Sequence, residues 1–72
     1  MWEVRIYYKK GVQDPEGDTT LQGLKMLGFE CAEEVKTAKI FWIKGCNREE
    51  VEEVCRRFLA NTTSQDYEIL QL

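Results

Sequence analysis

The sequence predicts an α+β protein, a two-layer sandwich in which two helices cover one face of a largely antiparallel sheet. Three observations lead to this prediction. Apolar and polar residues alternate near both ends of the chain, two segments carry helical spacing with cap residues, and a β-branched and aromatic segment lies between them. The predicted order is strand, helix, strand or hairpin, helix, strand. A hairpin in the middle would make this a split βαβ arrangement.

The first strand is predicted over residues 1–9. Successive strand residues point to opposite faces, so a period of two indicates a strand with one covered face. One face is predicted to carry Trp2, Val4, Ile6 and Tyr8, and the other Glu3, Arg5, Tyr7 and Lys9.

The first helix is predicted over residues 14–27. Asp14 is a suitable N-cap because its carboxylate accepts the free amide hydrogens of the first turn, and Pro15 suits the first helical position. Gly28 suits the left-handed conformation that ends a helix. The local start and stop signals therefore bound this helix on both sides.

One face of the first helix is apolar and carries small residues. Its members recur at spacings of three and four residues: Gly17, Thr20, Leu21, Leu24, Leu27 and Gly28. We predict that this face packs on the sheet, and that Phe29 folds back on Leu24 where the helix ends.

The middle segment, residues 35–44, is predicted to be one long bent strand or a short hairpin, because Thr37-Ala38-Lys39 interrupts its alternation. Its apolar residues would occupy both faces of the sheet. Helices cover only one face, so we expect the other to meet a second copy of the chain or a different protein. The alternative is an ordinary central strand shielded by long neighbouring side chains. The candidate interface residues are Phe41, Trp42, Ile43 and Tyr7.

The second helix is predicted to begin at Asn47, which forms a capping-box pair with Glu50. Its apolar stripe at helical spacing comprises Val51, Val54, Cys55, Phe58 and Leu59. Cys55 is expected to be a buried, inert thiol, and Asn61 to close the helix in a left-handed conformation. The last strand is predicted over residues 66–72.

Composition narrows the classes of function. The 72 residues are expected to form one domain, 1–72, with a marginal core that association with other chains completes. A net charge of −3 argues against a nucleic-acid surface, and the longest apolar run is far too short to span a membrane. Three cysteines without any histidine exclude zinc-finger sites. The odd cysteine count, with no secretory signal, predicts a reduced, cytoplasmic protein.

No catalytic set is visible in the sequence. The chain has no histidine, no evident carboxylate pair at a strand end and no glycine-rich phosphate loop. We therefore predict no catalytic, cofactor-binding or metal-binding residue on this chain. The loop 9–13 leads into a helix N-terminus that attracts anions, but the Asp14 carboxylate competes for the same amides.

A series of short motifs resembles PurS, the small subunit of phosphoribosylformylglycinamidine (FGAM) synthase. The first motif, Gly11 to Gly17, is similar to the family's G-V-x-D-P-x-G. The further motifs, in family order along nearly the whole chain, are Leu27-Gly28-Phe29, Val35, Lys39, Cys55, Leu59-Ala60-Asn61 and Asp66-Tyr67-Glu68. At Thr62-Thr63-Ser64-Gln65 the chain departs from the family, which usually has Pro followed by apolar residues.

The resemblance implies a role in a glutamine-dependent carbon–nitrogen ligase. The PurS family joins a large synthetase subunit, which carries ATP and magnesium, and a glutaminase subunit. The complex converts formylglycinamide ribonucleotide (FGAR), ATP and glutamine into FGAM, ADP, phosphate and glutamate. The resemblance implies a homodimer or higher homo-oligomer that bridges the partners and helps ammonia pass between them. It carries over no catalytic residue.

Two other functions are weighed against this role. Asp14-Pro15-Glu16-Gly17 after a first strand is loosely similar to the effector loop of ACT domains, which bind small molecules such as amino acids. An acylphosphatase would share the split βαβ layout, but its loop after the first strand needs an Arg, and residues 9–13 contain none. The ACT-like regulatory domain is therefore the stronger alternative.

Overall fold

The structure, a computed structural model, describes all residues 1–72. Three strands and two helices alternate along the chain, and the second helix continues into a π-helical turn. The elements are β1 (Trp2–Tyr8), α1 (Pro15–Met26), β2 (Ala38–Ile43), α2 (Arg48–Val54), the π-turn (Cys55–Leu59) and β3 (Gln65–Gln71). Neither α1 nor α2 is long and apolar enough to cross a membrane. The predicted α+β fold class is confirmed.

The sheet is entirely antiparallel, with strand order β2-β1-β3. Val4 in the central strand lies opposite Phe41 on one side and Ile69 on the other. The middle segment is a single strand that begins at Ala38, so the hairpin alternative is wrong and β2 is an edge strand. Residues 32–37 before it pair with no other strand.

The core lies between one face of the sheet and α2. Its buried side chains are Val4, Ile6, Val51, Cys55 and Ala60. The alternation predicted for β1 is confirmed, because Val4 and Ile6 are buried and Glu3, Arg5 and Tyr7 point to the opposite face. α2 begins as predicted: Asn47 Oδ1 accepts from the Glu50 amide at 2.8 Å, and the Glu50 carboxylate accepts from the Asn47 amide at 3.0 Å.

The predicted packing of α1 on the sheet is wrong. Gly17 is the one buried residue of α1, and no side chain of this helix joins the core. The molecule is 46 Å long, whereas a seven-residue strand spans only about 23 Å. Residues 15–37, which we call the arm, therefore extend from the end of the sheet where β1 ends and β2 begins.

Two predictions for the end of α2 are also wrong. The Ala60 amide donates to the Cys55 carbonyl at 2.9 Å, which closes a turn one residue wider than an α-helical turn. This turn takes Phe58 off the face of Val51 and Cys55, so that Phe58 is 84% exposed. The left-handed closure at Asn61 is absent, because positive φ angles occur only at glycines.

Candidate interaction surfaces

The face of the sheet away from α2, which we call the open face, is uncovered. It carries a row of apolar side chains next to charged ones. Trp42 is 65% exposed, Ile40 46% and Leu70 38%. Exposed apolar side chains of this size on one sheet face are typical of a protein interface.

Glu3 organises the polar part of the open face. Its carboxylate accepts from Trp42 Nε1 at 3.0 Å and from Arg5 Nε at 2.8 Å. Both hydrogen bonds lower the pKa of Glu3, and the one from Trp42 has the larger effect. These contacts hold the Trp42 ring on the strand surface in a defined orientation.

Tyr7 lies on the same face, beside the acidic end of β3. Its hydroxyl is 3.5 Å from the Glu68 carboxylate, and Asp66 is its partner in the strand register. Partial burial raises the pKa of Tyr7, and the Glu68 and Asp66 carboxylates raise it further. The phenol therefore stays neutral and keeps the proton that it donates to the Glu68 carboxylate.

The structure separates the four interface residues that the sequence suggested. Trp42 and Tyr7 lie on the open face, where both are accessible to a partner. Phe41 and Ile43 lie on the opposite face and pack, half-buried, against the core. The interface residues suggested from the sequence did not include Ile40 and Leu70. The period of two from Trp42 places Ile40 on the open face, and the pairing of Leu70 with Glu3 places Leu70 there.

Asp14 joins the arm to the sheet. It is 2% exposed, the single buried charged residue in the chain. Its Oδ1 accepts from the Gly17 amide at 2.9 Å, as predicted for an N-cap. Its Oδ2 accepts from the Thr37 amide at 2.7 Å and from Thr37 Oγ1 at 2.8 Å. The pKa of Asp14 is lowered mainly by the hydrogen bond from the Gly17 amide, and next by the hydrogen bond from the Thr37 amide.

Gly17 allows the first turn of α1 and the segment before β2 to approach each other. A Cβ at this position would lie well inside the van der Waals distance of the Val35 carbonyl oxygen. The family-like spacing Asp14-Pro15-x-Gly17 thus has a physical reason, since the cap and the close approach need these residue types. Together, Asp14, Gly17 and Thr37 form the junction of the arm.

The far end of the arm is apolar and exposed. α1 ends as predicted, with Gly28 at φ 93° and the Phe29 amide donating to the Leu24 carbonyl at 3.0 Å. Met26 is 88% exposed, Leu27 74% and Phe29 54%. We call these three residues the arm tip. From the sequence, Leu27 and Phe29 were expected to pack within the chain, and Met26 was not identified as an exposed apolar residue.

A groove of about 450 Å³ lies beside the junction. Lys9, Lys10 and Lys36 line it together with Glu34 and Asp14, whose carboxylate already accepts hydrogen bonds within the junction.

No group of three or more acidic or cysteine side chains is placed to hold a metal ion. Burial raises the pKa of the Cys55 thiol, as expected for an inert core cysteine.

Comparison with protein families gives one match that covers almost the whole chain. The PurS family model, described as phosphoribosylformylglycinamidine (FGAM) synthase, matches residues 1–71. The FGAM synthase subunit PurS of Archaeoglobus fulgidus is 43% identical over an alignment of 74 residues, and the alignment covers 94% of this chain and 92% of that protein. The PurS subunit of Methanocaldococcus jannaschii is 47% identical over 72 residues, covering 92% and 87%.

Solved structures show the same fold. The M. jannaschii PurS structure, described as one of the subunits of formylglycinamide ribonucleotide amidotransferase in purine biosynthesis, has a TM-score of 0.80 at 44% identity. The matched region covers 97% of this chain and 94% of the M. jannaschii chain. A chain of the Thermotoga maritima PurLQS complex has a TM-score of 0.72 at 21% identity, covering 99% and 94%, and supports the fold alone.

Proposed function

The chain belongs to the PurS family of subunits of FGAM synthase, the ligase complex of purine biosynthesis, and on this premise we propose that it is a non-catalytic subunit. In this role it joins the synthetase and glutaminase subunits and assists the transfer of ammonia between them. The reaction is FGAR, ATP and glutamine to FGAM, ADP, phosphate and glutamate. The single observation that carries the proposal is the family match over residues 1–71.

The side chains of this chain support a role in binding rather than in bond-making. Its one buried carboxylate, Asp14, is fully used by hydrogen bonds at the junction of the arm. Its one buried thiol, Cys55, lies in the core with a raised pKa. Neither group is available as a base or nucleophile. ATP, magnesium and the glutaminase chemistry are accordingly assigned to the larger subunits.

Reconstitution tests the proposal. The synthetase and glutaminase subunits are assayed for FGAM formation with and without this chain, first with glutamine and then with ammonium as the nitrogen source. We expect the chain to restore glutamine-dependent turnover. A bridging and transfer role predicts a much smaller effect on ammonium-dependent turnover, because free ammonium does not have to pass between subunits.

Two results would contradict the proposal. Glutamine-dependent turnover that is unchanged without the chain would remove the subunit role. An equal loss of glutamine- and ammonium-dependent turnover without the chain would remove the transfer role and leave the chain as a part of the synthetase site. The isolated chain, assayed with all substrates, serves as the control for activity of its own.

Self-association is part of this proposal. The 72 residues act as one domain that forms a homodimer or higher homo-oligomer in the cytoplasm, with Trp42 and Tyr7 at an interface. The exposed apolar residues of the open face support this state, since a partner would remove Ile40, Trp42 and Leu70 from water. Light scattering at micromolar concentration tests it, and a monomeric mass of 8.5 kDa would overturn it.

The ACT-like alternative is not favoured. It would use Asp14 and the adjacent loop to bind an amino acid, but all the hydrogen bonds of that carboxylate found in the structure are to Gly17 and Thr37 of the chain itself. Calorimetry of the isolated chain with amino acids separates the two functions. A heat of binding at micromolar ligand would favour the regulatory domain.

A further inference from the structure

Basic side chains gather at the junction of the arm, although the chain as a whole carries a net charge of −3. The groove of about 450 Å³ beside the junction is lined by Lys9, Lys10 and Lys36. A second groove of about 320 Å³ shares part of its wall with the first and adds Lys39. The two grooves hold four of the ten basic residues of the chain, but three of its thirteen acidic residues. We call the four lysines the basic strip.

The acidic residues of the grooves leave most of this positive charge without a partner. Asp14 is buried, and its carboxylate accepts hydrogen bonds from Gly17 and Thr37. Glu34 pairs with Lys36 at 3.3 Å, but both side chains are more than half exposed, so the pair is weak. The other three lysines of the basic strip form no ion pair in the chain. The acidic residues of the open face line neither groove.

The loop after β1 adds neutral donors beside these lysines. The Val12 amide donates to the Lys9 carbonyl at 3.0 Å, and Gly11 has a φ angle of 84°, which defines a type II turn. Lys10 and Gly11 both line the first groove, and neither amide donates to another backbone group. Amide and ammonium donors together suit a carboxylate, whose oxygens accept several hydrogen bonds.

We propose that the basic strip binds an acidic segment of one of the two larger subunits, with Asp or Glu carboxylates of that segment on the lysine ammonium groups. The strip crosses two adjoining grooves, so it suits an extended chain segment better than a single small anion. The proposal rests on the subunit role proposed above and adds the surface and the charge of the partner. None of the four lysines belongs to the arm tip or to the exposed apolar row of the open face.

Charge reversal tests the basic strip. Lys10 and Lys36 are both exposed, so their substitution should leave the fold intact. We expect Lys10→Glu with Lys36→Glu to weaken binding to one larger subunit by about tenfold or more at low salt. Near 0.5 M salt the difference should fall below about threefold, because ions screen exposed charges. Calorimetry of the chain with each larger subunit in turn measures both values.

Two further double variants are matched to this one. Lys10→Arg with Lys36→Arg keeps the charge and should bind within about twofold of the wild type. Lys44→Glu with Arg56→Glu makes the same change in net charge at two exposed residues outside the grooves, and it should also bind normally. Far-UV circular dichroism checks that each variant is folded. Lys10→Gln with Lys36→Gln, which removes the charges without reversing them, replaces the glutamate pair if that pair is not folded.

Amine labelling gives an independent measurement. In the assembled complex, Lys9, Lys10 and Lys36 should react with an N-hydroxysuccinimide ester more slowly than in the free chain, whereas Lys44 should react equally in both. Mass spectrometry reads each site. The free chain is also labelled with inorganic phosphate or ADP present. Protection by either one, without any effect of charge reversal on subunit binding, would assign the grooves to a small anion and overturn the proposal.

The remaining outcomes separate this surface from the subunit role. A wild-type chain that bound neither larger subunit and restored no turnover would overturn both. A wild-type chain that restored turnover, with equal binding by the charge-reversed variant or an equal loss in the Lys44 and Arg56 control, would overturn the surface alone. A charge-reversed variant that lost the wild-type oligomeric state in light scattering would assign the basic strip to contact between copies, which would also overturn the proposal.

Discussion

The sheet with α2 and the arm bury apolar side chains to very different extents. In the first region Val4, Val51 and Cys55 are completely buried. In the arm Gly17 alone is buried, and the leucines of α1 are half-buried at most. Both helices have well-formed caps. The comparison teaches that capping signals predict where a helix begins and ends, but not whether the same chain covers it.

The largest expected effect distinguishes the two regions by a buried charge. Val51→Asp places a carboxylate in the core and should destabilise the chain by about 3 kcal/mol or more, enough to unfold a domain of this size. Met26→Asp changes a side chain that is 88% exposed and should alter the free energy of unfolding by less than about 0.5 kcal/mol. Urea unfolding followed by circular dichroism, at a concentration where the chain is monomeric, measures both. Equal losses would show that the arm is part of the core.

Neighbouring residues of β2 sharpen the comparison between the two faces of the sheet. Phe41→Asp should destabilise the monomer by about 3 kcal/mol, because Phe41 packs against the core. Trp42→Asp should lower the free energy of unfolding by at most about 1 kcal/mol, mainly from the new carboxylate opposite Glu3, yet weaken the proposed dimer. Chemical unfolding and light scattering separate the two effects. If Trp42→Asp unfolded the chain and Phe41→Asp did not, the assignment of the faces would be wrong.

Two glycines of α1 provide a matched pair within the arm. Gly17→Ala should cost about 2 kcal/mol, because the new methyl group meets the Val35 carbonyl and forces the junction apart. Gly23→Ala meets no atom within 4 Å and should stabilise α1 by up to about 1 kcal/mol. Amide hydrogen exchange in α1 measures both changes locally. Similar exchange rates in the two variants would contradict the close approach at Gly17.

The junction should be sensitive to acid. Hydrogen bonds lower the pKa of Asp14 in the folded chain below its unfolded value of about 3.9. Its contribution to stability is therefore fully present above pH 4 and is lost as the pH falls through the folded pKa. Asp14→Asn should lower the melting temperature at pH 7 by about 5 to 10 °C and reduce the further loss on acidification. An unchanged acid dependence in this variant would assign it to another carboxylate.

Thiol labelling gives the smallest effect and compares the regions without altering the fold. Cys31 lies in the arm and is exposed, whereas Cys55 is buried and has a raised pKa. Under native conditions Cys31 should react with iodoacetamide, and Cys55 should react only at the rate of global unfolding. Mass spectrometry of the labelled chain reads both sites. Rapid labelling of Cys55 would mean that α2 opens locally.

Local signals in the sequence predicted most of the elements. The cap at Asp14, the capping box of Asn47 with Glu50, the stop at Gly28 and the alternation in β1 are all confirmed. Each depends on residues within a few positions of one another, which is why the sequence alone was sufficient. The motif series likewise predicted the PurS family, which the match over residues 1–71 confirms.

Tertiary structure decided the placement of these elements and the candidate surfaces. The position of α1 follows from hydrogen bonds between Asp14 and Thr37, 23 residues apart, and no local pattern predicts that pairing. The exposure of Phe58 follows from one wide turn that the apolar spacing does not reveal. The sequence by itself determined most of the helix and strand segments and which side chains are apolar. Which of those side chains stay exposed depends on contacts between distant segments, and this only the folded chain establishes.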